Sequence, residues 1–113
     1  MEMDGDIKQA IQLRQIGAKI AYYRTLRGLH QNELAKMVGL SKSVLSRMER
    51  GRYNSSMSVP SLLKIADALH IEVSQFLTFN EDEKKMWWED LSRGQISGYD
   101  SDAPEDKDKD EAE

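Results

Sequence analysis

The sequence predicts an all-α fold. No segment alternates apolar and polar residues in the manner of a β-strand, whereas apolar residues recur three and four positions apart, the spacing of one helix face. With 113 residues, 39% of them hydrophobic, the chain suits a single domain with a small core. The helical spacing is clearest in two sets, formed by Ile16, Ile20 and Tyr23 and by Leu62, Leu63, Ile65, Ala66 and Leu69.

The first helix is expected to end at Gly28, which is placed to close it in a left-handed conformation. Residues 1–15 form an N-terminal extension that we expect to be partly helical, because Ile7 and Ile11 are four positions apart. The sequence leaves open whether this extension continues the first helix or forms a separate turn. Gly17 weakens the case for one continuous helix, since glycine is a poor helix former.

The later helices are bounded by residues that start or stop helices. Ser58 suits the cap of the fourth helix and Pro60 its first turn, where a missing N–H costs nothing. The second, third and fifth helices are expected at about residues 31–38, 42–49 and 73–77.

Beyond Asn80 the composition changes. Residues 80–93 are compatible with a short aromatic helix, whose apolar content is Met86, Trp87, Trp88 and Leu91. Residues 94–113 are dominated by Gly, Ser, Asp, Glu and Lys. Such a segment buries too little apolar area to offset the entropy of ordering it, so we expect a disordered acidic tail.

The formal net charge of −4 hides an uneven distribution. Residues 1–79 carry 11 basic and 7 acidic side chains, whereas residues 80–113 carry 5 and 13, so the body of the protein is mildly basic. The absence of cysteine from the sequence excludes disulfides and thiolate metal sites. Because no apolar run reaches membrane-span length and no signal-peptide pattern opens the chain, we expect a cytoplasmic protein.

Residues 31–50 are the most informative segment. Gly39 lies in a turn that needs a positive φ, and Ser41 is placed to cap the helix that follows. This layout is a helix-turn-helix, which lays its second helix into the major groove of DNA. Small or apolar residues occupy the positions where the two helices would touch, namely Leu34, Ala35, Val38, Leu40, Leu45 and Met48.

Residues 16–79 resemble the phage repressor and Cro type of helix-turn-helix domain. The resemblance implies a lambda-repressor-like domain of five α-helices around one core. Two residues depart from the family pattern, because His30 replaces the Ser or Thr that usually caps the second helix and His70 replaces the glycine that closes the fourth. The resemblance extends to Ile16-Gly17, Arg27-Gly28-Leu29, Ser46-Arg47-Met48-Glu49-Arg50-Gly51 and Leu62-Leu63-Lys64-Ile65-Ala66-Asp67-Ala68-Leu69.

The resemblance assigns base contacts to Lys42, Ser43 and Arg47 on the outer side of the third helix. Lysine and arginine suit guanine O6 and N7, whereas serine accepts several bases. The alternative interpretation is that Lys42 and Arg47 are ordinary solvated residues. The resemblance also implies a buried ion pair between Arg24 and Glu49, which we expect to orient the third helix.

Phosphate contacts are expected at both ends of the motif. Gln31 begins the second helix, where backbone N–H groups and the helix dipole favour an anion. The remaining candidates lie on the third helix or directly after it and are Ser46, Arg50, Arg52, Tyr53 and Asn54. For the last three, an ordinary polar loop is the alternative.

The sequence contains no nucleophile–base pair, glycine-rich phosphate loop or paired-carboxylate motif, so we expect no enzymatic activity and no cofactor. His30 and His70 lack metal-ligand spacing, so no metal site is expected.

These observations predict a regulator of transcription that binds specific sequences in double-stranded DNA, with repression as the expected outcome. We expect a homodimer, because specific sites usually comprise two half-sites one helical turn apart. The alternative function is that of an antitoxin, which binds its own promoter and contacts a protein partner through residues 80–93. The acidic tail is either a solvated segment or a competitor of DNA for the basic face. The dimer interface is expected to contain Phe76, Leu77, Phe79 and the segment around Trp87.

Overall fold

The computed structural model describes residues 2–52 and 57–93, and within them all regular secondary structure is α-helical. The all-α prediction is thereby confirmed. Among these residues, no helix is long and apolar enough to cross a membrane. The predicted disorder of residues 94–113 falls outside the described part of the chain. The six helices are α1 (Glu2–Leu26), α2 (Gln31–Val38), α3 (Lys42–Glu49), α4 (Val59–Ala68), α5 (Ser74–Leu77) and α6 (Glu81–Arg93).

Helix α1 is one continuous helix of 25 residues, so the N-terminal extension belongs to it. Gly17 does not interrupt it. A Cβ at this position would collide with the backbone carbonyl oxygens of Met48 and Glu49, at the end of α3. Glycine is therefore needed at this position because α3 approaches the backbone of α1 very closely, and the weak helix propensity of one residue is overridden by packing.

The first five helices, α1 through α5, share one hydrophobic core. Phe76 of α5 is fully buried in it and packs edge-on against Tyr23, with ring centroids 6.3 Å apart. The prediction that Phe76 lies at a dimer interface is therefore wrong, because the side chain is enclosed within its own protomer. The core contains Ile16, Ile20, Leu34, Ala35, Val38, Leu45, Met48, Leu62, Ile65, Ala66, Leu69 and Phe76.

Local hydrogen bonds fix where the helices begin. The Ser41 hydroxyl accepts a hydrogen bond from the backbone N–H of Val44 at 3.1 Å, and the Ser58 hydroxyl accepts one from that of Ser61 at 3.2 Å. At the start of α2, the N–H of His30 donates to the Glu33 carboxylate at 2.7 Å. These bonds satisfy N–H groups that lack partners in the first turn of a helix.

Residues of positive φ follow the ends of the first four helices, at Gly28, Gly39, Gly51 and His70, so the predicted left-handed conformation of Gly28 is confirmed. Gly39 has a φ of 75° and closes α2, which lets the chain turn sharply toward α3. His70 has a φ of 60° after α4, a conformation that a side chain rarely adopts. Beside it, Arg27 donates to the backbone carbonyl of Leu69 at 2.7 Å, so α1 supports the end of α4.

Helix α6 packs against the central part of α1, with contacts that run from Lys8 to Lys19. Lys19 pairs with Glu83 at 2.6 Å, and the indole N–H of Trp87 donates to the Gln15 side chain at 2.9 Å. Further toward the start of α1, the Lys8 ammonium lies 4.7 Å from the centre of the Trp87 ring. Residues with higher numbers on α6 therefore lie beside residues with lower numbers on α1, so the two helices are antiparallel.

The contact between α1 and α6 has its own small apolar centre. Ile11 is 1% exposed and lies on the same face of α1 as Lys8 and Gln15, which contact α6. The Trp87 ring meets Phe79 edge-on with ring centroids 5.6 Å apart. Trp87 therefore covers part of its own protomer, whereas Trp88 is 60% exposed. A role for residues 80–93 in binding another protein stays a prediction.

Candidate nucleic-acid interface

Helix α3 has one inward and one outward side. Leu45, Met48 and Glu49 are buried against the other helices. The opposite side carries residues spaced by three, four and seven positions, which places them on one face of a helix. This outward face consists of Ser43, Ser46, Arg47 and Arg50, with Lys42 in the first turn, and all five are partly exposed.

The C-terminal end of α3 is held tightly against α1. Gly17 admits the carbonyl oxygens of Met48 and Glu49, as described above. Directly after the helix, a Cβ at Gly51 would collide with the backbone and side chain of Arg14. Two glycines thus let α1 contact the end of α3 at main-chain distance, which fixes the direction in which α3 points.

A bidentate ion pair links the same two helices. The Nε of Arg24 lies 2.6 Å from Oε2 of Glu49, and its Nη2 lies 3.0 Å from Oε1. The third guanidinium nitrogen, Nη1, donates to the backbone carbonyl of Leu29 at 2.8 Å. The two side chains are only 15% and 5% exposed, so the pair lies largely out of water.

Gln31 adds a third element to this group. Its amide nitrogen donates to Oε1 of Glu49 at 2.9 Å, which ties the first residue of α2 to the end of α3. Sequence reasoning assigned Gln31 to phosphate and missed this contact, because no local pattern relates positions 18 residues apart. The amide group has a second N–H, so a phosphate contact is compatible with this bond.

The turn after α3 folds back over the helix end. The backbone N–H of Arg52 donates to the carbonyl of Arg47 at 2.9 Å. Tyr53 and Asn54, the other two phosphate candidates in this loop, lie outside the described residues. The structure therefore brings Arg47, Arg50 and Arg52 to one end of α3, next to Arg14.

Arg14 was missed by the sequence reasoning. Its position beside Gly51 depends on α1 continuing as a helix before Ile16, which the sequence left open. We call Arg14, Arg47, Arg50 and Arg52 the cationic end of α3. The only carboxylate of α3 is Glu49, which is buried and paired with Arg24, so it does not offset this charge on the outward face.

The described residues offer no competing metal chemistry, since no three His, Cys, Asp or Glu side chains among them are grouped to hold a metal ion. The interface instead consists of cations, hydroxyls and an amide. These groups donate hydrogen bonds to phosphate oxygens and to acceptors on base edges.

Comparison with known proteins identifies the family. A helix-turn-helix family profile matches residues 20–76, half of the chain. The chain belongs to the helix-turn-helix family of transcriptional regulators. The resemblance to phage repressor and Cro-type domains is thereby confirmed, and DNA binding is the shared activity of this family.

Several individual helix-turn-helix proteins are similar to this one. An uncharacterised regulator of Methanocaldococcus jannaschii is 32% identical over 65 residues, which are 58% of this chain and 96% of that protein. The regulator SlrR of Bacillus subtilis is 36% identical over 80 residues, which are 71% of this chain and 49% of SlrR. The immunity repressor of Bacillus phage phi105 is 44% identical over 59 residues, covering 52% of this chain and 40% of the repressor.

The clp gene regulator ClgR of Corynebacterium glutamicum has a similar crystal structure. The two structures superpose with a TM-score of 0.57 and 27% sequence identity, over 74% of this chain and 88% of ClgR. The first half of α1, which contains Arg14, and all of α6 lie outside the segment that the helix-turn-helix profile matches.

Proposed function

We propose that this helix-turn-helix protein is a repressor that recognises specific double-stranded DNA with α3. Lys42, Ser43 and Arg47 read base edges in the major groove. The observation that carries this proposal is the outward face of α3, which presents cations and hydroxyls while its only carboxylate is turned inward and paired. Repression follows from occupation of promoter DNA, and the similarity to the phi105 immunity repressor supports it.

Phosphate contacts flank the base-reading residues and set the register of α3 on the duplex. Gln31 acts from the start of α2, where helix-terminal N–H groups favour an anion. The remaining phosphate ligands are Ser46, Arg50, Arg52, Tyr53 and Asn54.

A homodimer places two copies of α3 in successive turns of the major groove, about 34 Å apart. Three exposed apolar side chains on packed neighbouring helices support a dimer interface on α1 and α5. Tyr22 and Leu26 of α1 are each 60% exposed, and Leu77 of α5 is 47% exposed. Phe79 and Trp87 contact each other within the protomer and are partly exposed, so their place in the dimer interface stays a prediction.

Selection of bound duplexes from a random pool tests the function. We expect a palindrome whose half-sites lie one helical turn apart. Recovery of no preferred sequence would contradict a role in sequence-specific regulation, whereas a single unpaired half-site would contradict the symmetric dimer alone.

Substitution of Arg47 then tests the role of α3. We expect Arg47→Ala to weaken binding to the selected duplex about 5- to 150-fold, the equivalent of about 1–3 kcal/mol for one lost base contact, and to relax the preference at one base pair. The matched control is Lys64→Ala, which removes an exposed cation from α4. Fluorescence anisotropy measures both. Equal affinities for the two variants would exclude Arg47 as a base-reading residue.

A further inference from the structure

We propose that the acidic segment 94–113 docks on the cationic end of α3 and competes with DNA for it. This inference rests on the proposed DNA-binding function and adds an internal inhibitor to the same surface. The segment would occupy the donors of Arg14, Arg47, Arg50 and Arg52 that phosphate oxygens otherwise occupy.

Charge complementarity is the first argument. Residues 94–113 contain eight acidic and two basic side chains, and all eight acids lie between Asp100 and Glu113. Carboxylates resemble phosphate oxygens in being anionic acceptors, and arginine binds both in the same bidentate manner. The segment therefore offers arginine the same kind of ligand as a DNA strand, without base edges.

The antiparallel packing of α1 and α6 is the second argument. Glu83 lies at Lys19, whereas Trp87 lies at Lys8, so α6 runs toward the N-terminal end of α1. Arg14 lies at the middle of α1 and approaches Gly51 at the end of α3. Arg93 ends α6 nearer to the N-terminal end of α1, and residues 94–113 continue the chain from Arg93.

Distance is the third argument. Lys8 and Arg14 are six residues apart on α1, and Arg93 lies six residues beyond Trp87 on α6. Each of these steps corresponds to about 9 Å along a helix axis, so the end of α6 lies about 18 Å from the level of Arg14. The six residues 94–99 that precede Asp100 span up to about 20 Å when extended. The described residues measure 39 Å in their longest dimension, so 20 residues also suffice to follow the outward face of α3.

Tethering makes weak contacts effective. A short tether gives its end an effective concentration in the millimolar range, so docking does not need high intrinsic affinity. Ion pairs at an exposed surface are screened by salt, so inhibition should be strong at low ionic strength and fade as salt rises.

The first experiment detects docking without DNA. The full chain is compared with a full-length variant in which the eight carboxylates become amides, a change that leaves the described helices untouched. We expect amide chemical-shift differences at 42–52 and around Arg14 at low salt, and none at about 0.5 M salt, where screening extends over only a few ångströms. Coincident spectra at low salt would overturn the proposal. The changed positions are Asp100, Asp102, Glu105, Asp106, Asp108, Asp110, Glu111 and Glu113.

The second experiment measures competition with DNA. We expect the neutral-segment variant to bind the selected duplex about 3- to 10-fold more tightly than the full chain at low salt, with the difference vanishing at high salt. The control carries Glu81→Gln and Asp82→Asn in the first turn of α6, which removes negative charge at another place. An equal gain in the control would show a net-charge effect and overturn docking.

The outcomes separate the two proposals. If neither chain binds a duplex, the DNA-binding function fails, while the chemical shifts still decide whether the segment docks. If both chains bind with equal affinity, DNA binding stands and the inhibitory segment is excluded. If the shift differences appear only at high protein concentration, the segment acts on a second copy, which contradicts docking within one chain.

Discussion

Glu49 is the residue at which three helices meet. Its carboxylate accepts hydrogen bonds from Arg24 of α1 and Gln31 of α2, while its backbone belongs to the last turn of α3. A carboxylate has enough acceptor positions for all three donors. One side chain thus couples the orientation of the DNA-facing helix to both of its supports.

Glu49→Ala should therefore be strongly destabilising. The substitution leaves the guanidinium of Arg24 buried without its counter-charge, and breaking a buried pair in this way costs about 3–5 kcal/mol. The free energy of unfolding in urea, followed by circular dichroism, measures this loss. The control is Glu81→Ala, whose side chain is 93% exposed and should change little. Equal unfolding midpoints for both variants would contradict a structural role for the pair.

Gly17 and Gly5 form a natural pair for testing close packing, because both lie in α1. A Cβ at Gly5 meets nothing within 4 Å, so Gly5→Ala should be neutral or stabilise by up to about 1 kcal/mol through helix propensity. Gly17→Ala should destabilise by about 1–3 kcal/mol, because the methyl group forces α1 away from α3. Thermal unfolding compares them, and a gain in stability for both would refute the close approach.

Local sequence signals predicted these residues unevenly. Ser41, Ser58 and Gly39 act within four positions of themselves, so their roles as caps and turn were predictable. Helix propensity is also a local property, and it suggested that Gly17 would weaken the helix. The actual role of Gly17 depends on its contact with the end of α3, more than 30 positions away. The Gln31–Glu49 hydrogen bond was missed for the same reason.

A charged contact joins the first turn of α6 to α1. Burial raises the pKa of the Glu83 carboxyl, but hydrogen bonds from Lys19 and from the backbone N–H of Asn80, with the charge of Lys19, lower that pKa below its ordinary value of 4.5. The unfolded chain therefore binds the proton more readily than the folded one. The contact stabilises fully above pH 4.5 and is lost as the pH falls through the lowered pKa.

Acidification should consequently loosen the packing of the first turn of α6 on α1. In a Trp88→Phe background, the fluorescence of Trp87 should change below about pH 4.5, because loss of the Lys19–Glu83 contact weakens the packing of Trp87. Glu83→Gln should shrink this pH dependence. A transition of unchanged size and midpoint in Glu83→Gln would assign it to other carboxylates.

The sequence predicted that α6 is a helix but did not predict which surface α6 packs against. Met86, Trp87 and Trp88 indicated a helix, but the choice between covering the protomer and binding a partner depends on which side faces α1. That side is selected by Gln15, which bonds both the indole of Trp87 and the backbone carbonyl of Glu83. Gln9, Gln12 and Gln15 lie close together in α1, and the sequence does not single out Gln15 among them.

At the scale of the whole molecule, the proposed dimer can be tested with two exposed leucines. Leu77 of α5 is 47% exposed and Leu63 of α4 is 50% exposed. Leu77→Glu should abolish dimerisation and weaken binding to a palindromic duplex, because it places a charge in the proposed apolar interface. Leu63→Glu should affect neither. Sedimentation velocity measures the association state, and a Leu77→Glu dimer as stable as the parent would place the interface elsewhere.

The five-helix arrangement itself was predictable because many weak signals agree. These are the apolar helix faces, the capping residues and the turn glycines, all at the spacing typical of helix-turn-helix domains. The misassignment of Phe76 shows what such agreement leaves undecided. An aromatic residue near the end of a small domain is equally suited to a core and to an interface. Phe76 is enclosed by the packed core of its own protomer, where it also meets Tyr23 of α1, and this arrangement depends on tertiary contacts that no local signal shows.

Because α1 is long, the protein cannot easily be truncated into separate structural units. The same helix carries Ile11 beneath α6 and Ile20 in the main core, with no break between them. Removal of α6 would expose Ile11 and the side of Phe79 that Trp87 covers, and exposed apolar surface of this kind favours aggregation. Helix α6 and the first part of α1 are thus not a separate module. A truncation at the edge of residues 20–76, the segment that the family profile matches, would cut through one cooperative unit.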